Sequence, residues 1–190
     1  MKVNAYYIYW HGPFLSIDEA REWELSNDDI VCNIYLAHGK KFGKQKSSYY
    51  CGLAKGRGKK RDRFVTDRLK EPDDPVHNII DRRPEELWLG EISNLDDNIR
   101  SHIDVGQDIE LVENLLIYFM NKKVDYDLLL NEKKRDYLKQ PVCVINNWCH
   151  DSKNTISCDE ESLKKIIPAV IVCDNSSDIR YAKTLKTLKE

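Results

Sequence analysis

No apolar run in this 190-residue chain approaches the length of a membrane span, and the opening residues Met1-Lys2-Val3-Asn4-Ala5-Tyr6 lack the apolar stretch of a secretory signal. The expectation is a cytoplasmic protein with no membrane segment. No Cys-x-x-Cys pair occurs among Cys32, Cys51, Cys143, Cys149, Cys158 and Cys173, so with no export signal the thiols are expected to be reduced and mostly buried. Cys143, Cys149, His150 and Cys158 fall close together, but their spacing fits no common zinc module, and ordinary packing is the expected role. Internal repeats, low-complexity tracts and long linkers are also missing. With 41% hydrophobic residues, the chain can bury one sizeable core, and a single domain over residues 1–190 is expected.

What the chain does have is a strongly uneven charge. Its formal net charge is only −2, yet Lys40 to Lys70 holds twelve of the thirty Lys and Arg residues against Asp62 and Asp67 alone. The remainder is therefore strongly acidic. Such a block is most often a solvated surface. Here it also contains Tyr49-Tyr50-Cys51-Gly52, and basic charge with interleaved tyrosines suits a phosphate backbone, where Lys and Arg displace condensed counterions.

Val3 to Trp10 reads as a first strand ended by the turn His11-Gly12-Pro13, and Ser16-Ile17-Asp18-Glu19 as the capped start of a helix running to about Leu25. Ile30 to Ala37 and Tyr49 to Ala54 read as an antiparallel hairpin, because a parallel crossover needs more chain between its strands. A basic helix over Lys59 to Leu69 follows, stopped by Glu71-Pro72-Asp73-Asp74-Pro75, then a short helix from Val76 to Arg83 and a strand from Glu86 to Ile92. The clearest helix runs from Gln107 to about Met120, with Ile109, Val112, Leu115, Leu116 and Phe119 at helical spacing. A second helical patch, Tyr126 to Leu138, an extended run Val142 to Ile145, a helix start near Asp159 to Glu161, a strand Ala169 to Cys173 and a basic tail complete the chain. The fold class expected is α/β of the α+β type, with a small central, mainly antiparallel sheet flanked by helices.

Glu113 lies near the apolar face of its helix, with Ile109 four positions before it and Leu116 and Ile117 three and four after. A carboxylate there is costly to desolvate unless something positive meets it. It either reaches solvent from the edge of the stripe or meets a cation, and oxygen ligands beside phosphate are the usual Mg²⁺ environment.

In this order, the parts resemble the GIY-YIG endonuclease superfamily. Asn33-Ile34-Tyr35 stands where GIY would be and Tyr50-Cys51-Gly52 where YIG would be. Arg61 follows the glycine, His77 comes after the basic helix, Glu113 lies in Glu-Asn-Leu-Leu-Ile, and Asn146 follows an extended segment. The resemblance covers residues 30–148. It treats Val124 to Gln140 as an insertion, and residues 1–29 and 149–190 as additions that extend the sheet, form a homodimer surface or read DNA sequence. NIY departs from GIY at its first residue and YCG from YIG at its second.

The resemblance implies a DNA endonuclease that uses Mg²⁺ (or Mn²⁺), with Glu113 as the metal ligand. Arg61, or its neighbours Arg57 and Arg63, would grip the scissile phosphate, where a planar guanidinium matches two oxygens. Tyr35 would activate water with Tyr50 packed beside it. A phenol near pKa 10 needs cations close by for that role. His77 would contact phosphate, and Asn146, with Asn147 as its rival, would complete the site. Lys55, Arg57, Lys59, Lys60 and Arg63 would bind DNA. Two further functions compete: a GIY-YIG-like module that grips nucleic acid without cutting it, and a domain whose basic helix docks an acidic protein.

Overall fold

The computed structural model describes residues 3–40, 46–54, 64–77, 84–94, 107–131, 140–150, 162–174 and 178–183. In chain order these form β1 (Asn4–Phe14), α1 (Ile17–Ser26), β2 (Cys32–Lys40), β3 (Ser47–Leu53), α2 (Val65–Leu69), β4 (Glu86–Asn94), α3 (Gln107–Lys123), β5 (Val142–His150), α4 (Leu163–Ile166), β6 (Val170–Cys173) and β7 (Ile179–Ala182). The seven strands make one sheet in the order β3-β2-β4-β1-β5-β6-β7. Every neighbouring pair is antiparallel except β1 with β5. The class is mixed α+β, and the sheet is larger than the small one expected. Among the described residues, no helix is long and apolar enough to cross a membrane.

The added strands explain the size. The N-terminal segment supplies β1, which sits between β4 and β5 in the sheet. The turn expected at His11-Gly12-Pro13 does not end it. Gly12 takes φ 145°, a conformation L side chains rarely adopt, and the pairing with β4 shifts between His11 and Phe14 while the strand runs on. A Cβ at Gly12 would stand 2.8 Å from the Leu87 carbonyl oxygen, so the close approach of β4 also requires glycine. The basic tail contributes β7, a strand not anticipated from sequence.

Alternation along the strands gives the sheet two faces. On one, Ile34 and Leu36 of β2, Cys51 of β3, Trp88 of β4, Ile8 and Trp10 of β1 and Val144 of β5 pack against α3. The predicted stripe of α3 is buried as expected, but so are Ile117, Tyr118 and Met120. Val124, Leu128 and Leu129 close over the same cluster, so this helix is covered on more than its sheet side. Each fully buried Leu or Ile there contributes about 1.5–3 kcal/mol. On the other face, Tyr35, Ala37, Leu87 and Leu89 pack with Ala20 of α1 and Val65 and Leu69 of α2.

The second helical patch does not form as expected where it is described. Tyr49 N–H donates to Leu128 O at 2.8 Å, Leu130 N–H donates to Tyr49 O at 2.9 Å, and Tyr49 bridges Leu129 in parallel register. This segment satisfies the outer edge of β3, which would otherwise present unpaired backbone groups. Residues 132–139 lie outside the described residues.

α1 and α2 are joined through a buried carboxylate. Glu24 is fully buried, and it accepts Val65 N–H at 3.0 Å, Thr66 N–H at 3.0 Å and the Thr66 hydroxyl at 2.5 Å. These amides open α2, where orphan N–H groups need acceptors. Arg21 adds an ion pair to Asp67 at 3.2 Å and lies 4.0 Å from the centre of the Phe64 ring. The return of the chain from the basic segment is thereby fixed. Its departure is fixed too, by Ala54 N–H donating to Asn33 O at 3.0 Å.

Candidate functional site

Tyr35 and Tyr50 come together because β2 and β3 pair with Tyr35 opposite Gly52 and Ala37 opposite Tyr50. That register puts both phenols and Gly52 on one face, with ring centroids 5.9 Å apart at 39°. The glycine of the YCG triplet has a steric reason: a Cβ there would overlap Cζ and the hydroxyl of Tyr35 and lie 2.8 Å from Cε1 of Tyr50. The two motif tyrosines and the motif glycine are a single packed unit.

Tyr35 is 1% exposed, and its hydroxyl donates to Asp74 Oδ2 at 2.7 Å. Asp74 also takes Val76 N–H on Oδ1 at 2.9 Å and lies 3.3 Å from Arg68 Nε through Oδ2. Burial, then the Asp74 charge, then Tyr50 push the Tyr35 phenol far above its ordinary pKa. Tyr50 is half-buried and is also raised, first by burial, then by Asp74, Cys51 and Glu113, with the Tyr35 hydroxyl acting the other way.

The cations expected to favour a Tyr35 phenolate, Lys59 and Lys60, lie outside the described residues. Among the described residues, the charge acting most on that phenol is the Asp74 carboxylate, to which the hydroxyl donates. Tyr50 is the phenol with access to solvent. A stability consequence follows with a definite sign. Both raised tyrosines are neutral in the fold, so their contribution is complete below pH 10 and is lost as pH rises above the unfolded value, where only the unfolded chain releases protons. Tyr35→Phe should flatten alkaline destabilisation above pH 10 by about 1.4 kcal/mol per pH unit, as measured by urea unfolding at stepped pH. A slope equal to wild type would show that Tyr35 titrates normally.

Glu113 is 6% exposed on α3. The site implied by the resemblance needs Glu113, Tyr35 and Tyr50 in one pocket, and for Tyr35 the fold does not give that. α3 packs on the face of Ile34, Leu36 and Cys51, whereas Tyr35 faces α1 and α2. Glu113 is among the groups that raise the Tyr50 phenol, after burial, Asp74 and Cys51. Of the two carboxylates acting on Tyr50, Asp74 is bonded to Tyr35, Val76 and Arg68, and Glu113 is the one that the resemblance marks as the metal ligand. Among the described residues, no group of three His, Cys, Asp or Glu side chains is placed to hold a metal ion. One carboxylate completed by phosphate and water is the sparse coordination Mg²⁺ accepts.

Neither a protein-family model, nor a curated protein, nor a solved structure matches the chain. The GIY-YIG resemblance therefore rests on this chain's own residues.

Asn146 is not brought to the phenols. It lies on β5, three strands from β2 and four from β3, a separation of about 14–19 Å at ordinary strand spacing. Its side chain is consumed by structure: Oδ1 accepts Trp10 Nε1–H at 2.9 Å and Nδ2 donates to Pro168 O at 2.9 Å. Asn147 is exposed on the same strand. The asparagine that the fold does bring to the YCG strand is Asn131, 7% exposed, whose Oδ1 accepts Cys51 N–H at 2.9 Å and whose Nδ2 donates to Cys51 O at 2.6 Å. His77 supports the neighbouring turn, its backbone N–H donating to Asp74 O at 3.0 Å.

Lys55, Arg57, Lys59, Lys60, Arg61 and Arg63 lie outside the described residues, as does Cys158. Of the basic helix expected over Lys59 to Leu69, the described part is α2, Val65–Leu69. What the fold does fix is where that segment is anchored. Ala54 before it and Val65 after it belong to the same buried cluster as Tyr35, with Tyr50 packed against that cluster.

Sequence reading missed Asp74, Arg68 and Asn131. Asp74 sits in Pro72-Asp73-Asp74-Pro75, which reads as a helix stop; the lone Val76 after Pro75 is the local hint that this turn is packed inward. Asn131 gives no such hint, because its partner Cys51 is eighty positions away.

Proposed function

We propose that this chain is a GIY-YIG-like endonuclease that hydrolyses DNA phosphodiester bonds with a divalent metal ion, Mg²⁺ or Mn²⁺. The observation that carries the reading is the Tyr35–Gly52–Tyr50 unit, placed where the most basic segment of the chain leaves and re-enters the core. Tyr50 is the phenol presented to the attacking water and phosphate. Tyr35, locked by Asp74, is its positioning residue. Arg61, with Arg57 and Arg63 beside it, supplies the guanidinium for the phosphate oxygens, and Lys55, Lys59 and Lys60 hold the DNA backbone. Glu113 would hold the ion, which when bound neutralises charge developing on the leaving oxygen. Asn131, rather than Asn146, takes the place of the later asparagine, fixing the backbone of the YCG strand.

Incubation of the purified protein with supercoiled plasmid and Mg²⁺ should give nicked or linear DNA, and EDTA should stop it. Glu113→Ala and Arg61→Ala should each lower the rate by about a hundredfold or more while leaving the circular-dichroism spectrum unchanged. Wild-type rates in both variants would remove the assignment.

A second reading is a module that binds nucleic acid without cutting it. The locking of Tyr35 to Asp74, with α3 on the opposite face, favours it. That reading expects binding that falls steeply with salt and no turnover in Mg²⁺ or Mn²⁺.

A further inference from the structure

Away from the phenol pair, the C-terminal end of α3 and the edge strand β7 enclose an open cleft of about 520 Å³ lined by Tyr118, Phe119, Lys122, Lys123, Asp178, Ile179 and Tyr181. That size lies within the range of ligand pockets. Phe119, 1% exposed, forms its floor and meets the Tyr181 ring edge-on at 5.5 Å and 74°. Tyr181 remains 47% exposed. An aromatic ring left so open at a sheet edge, with Lys123 against it, is a stacking surface with a cation beside it.

Lys123 is held against the ring. Lys123 Nζ donates to the Tyr181 hydroxyl at 2.6 Å and stands 4.0 Å from the centre of its ring, while Lys122 Nζ lies 5.2 Å from the centre of Tyr118. Among the described residues of the lining, Asp178 is the only acidic one. Arg180, on the alternate face of β7, is engaged elsewhere, pairing with Asp174 at 3.0 Å.

We propose that this cleft binds a segment of single-stranded nucleic acid, with a base stacked on Tyr181 and neighbouring phosphates on Lys122 and Lys123. A flat π-face with cations beside it is the arrangement that captures unpaired nucleotides with little regard to sequence. An acidic peptide would satisfy the lysines but leave the ring unused. The site stands on its own geometry and does not depend on hydrolysis. Its relation to the proposed nuclease is one of distance: Lys123 lies ten helical residues beyond Glu113, about 15 Å, a span of about four to five stacked nucleotides.

The test is fluorescence anisotropy of the full chain with labelled oligothymidylate of about 12 nucleotides, in EDTA so that no cleavage intervenes. The Lys122→Ala, Lys123→Ala double variant should bind at least about tenfold more weakly, and the slope of log K against log salt should fall by about 1.4. Tyr181→Ala should cost about tenfold, Tyr181→Phe should bind within about twofold of wild type, Asp178→Asn should bind more tightly, and Arg180→Ala should be unchanged. Absence of oligothymidylate binding, equal weakening by Arg180→Ala, or displacement by polyglutamate as effective as by unlabelled oligonucleotide would each overturn the proposal. Loss through misfolding is separated by melting each variant, and the Tyr181→Phe and Asp178→Asn arms remain decisive if Tyr181→Ala does not fold. Cleft-dependent binding in a protein that never cuts plasmid would end the nuclease reading and leave this one standing.

Discussion

Gly52→Ala is expected to destabilise the protein by about 2–3 kcal/mol, a fall in Tm of about 5–10 °C for a domain of this size, and to remove plasmid cleavage with it. The added methyl would overlap the Tyr35 ring end and crowd Tyr50. Neither neighbour can yield easily. Tyr35 is sealed in the core with its hydroxyl bound to Asp74, and moving Gly52 away would break the pairing of β3 with β2. Thermal melts of Gly52→Ala, Tyr35→Leu and the double variant form a cycle that isolates the clash. If the methyl acts through Tyr35, it should cost less in the Tyr35→Leu background, with a coupling of at least about 1 kcal/mol. Strict additivity would show that Gly52 matters for another reason, and the steric account of the YCG triplet would fail.

The same steric unit shows what was legible in the sequence. The hairpin of β2 and β3 could be read from two β-rich runs too close for a crossover, and α3 from an apolar period that its own packing reproduces. In both cases the determining contacts are local or strictly periodic. The sheet order was not legible, because β1 enters beside β5 in parallel register, a pairing across more than a hundred residues that leaves no mark on either segment. For the same reason Asn146 was misplaced: an asparagine after an extended run looks the same whether it faces a phosphate or, as here, the Trp10 indole and the Pro168 carbonyl. Tyr35 and Tyr50 were found as a pair, but their division of labour was hidden. What separates them is Asp74, and a carboxylate between two prolines shows in the sequence only as a stop signal.

That division of labour gives the second large effect. Tyr50→Phe should lower the cleavage rate by about a hundredfold or more, the scale of losing a group that handles a proton or a phosphate oxygen in the transition state, while leaving Tm close to wild type because the lost hydroxyl belongs to a half-buried side chain. Tyr35→Phe should show the opposite balance. It deletes the donor held 2.7 Å from a buried carboxylate that retains only Arg68 and the Val76 amide, a change of about 1–3 kcal/mol in stability, with a rate loss of only about tenfold from a less well-held Tyr50 ring. Asp74→Asn should follow Tyr35→Phe in both readouts, since it keeps the shape and weakens the same charge-assisted bond. Single-turnover cleavage and urea unfolding of the three variants separate the roles. Should Tyr35→Phe lose more rate than Tyr50→Phe at equal stability, Tyr35 would be the phenol that meets the substrate, and Asp74 would be its proton acceptor rather than its anchor.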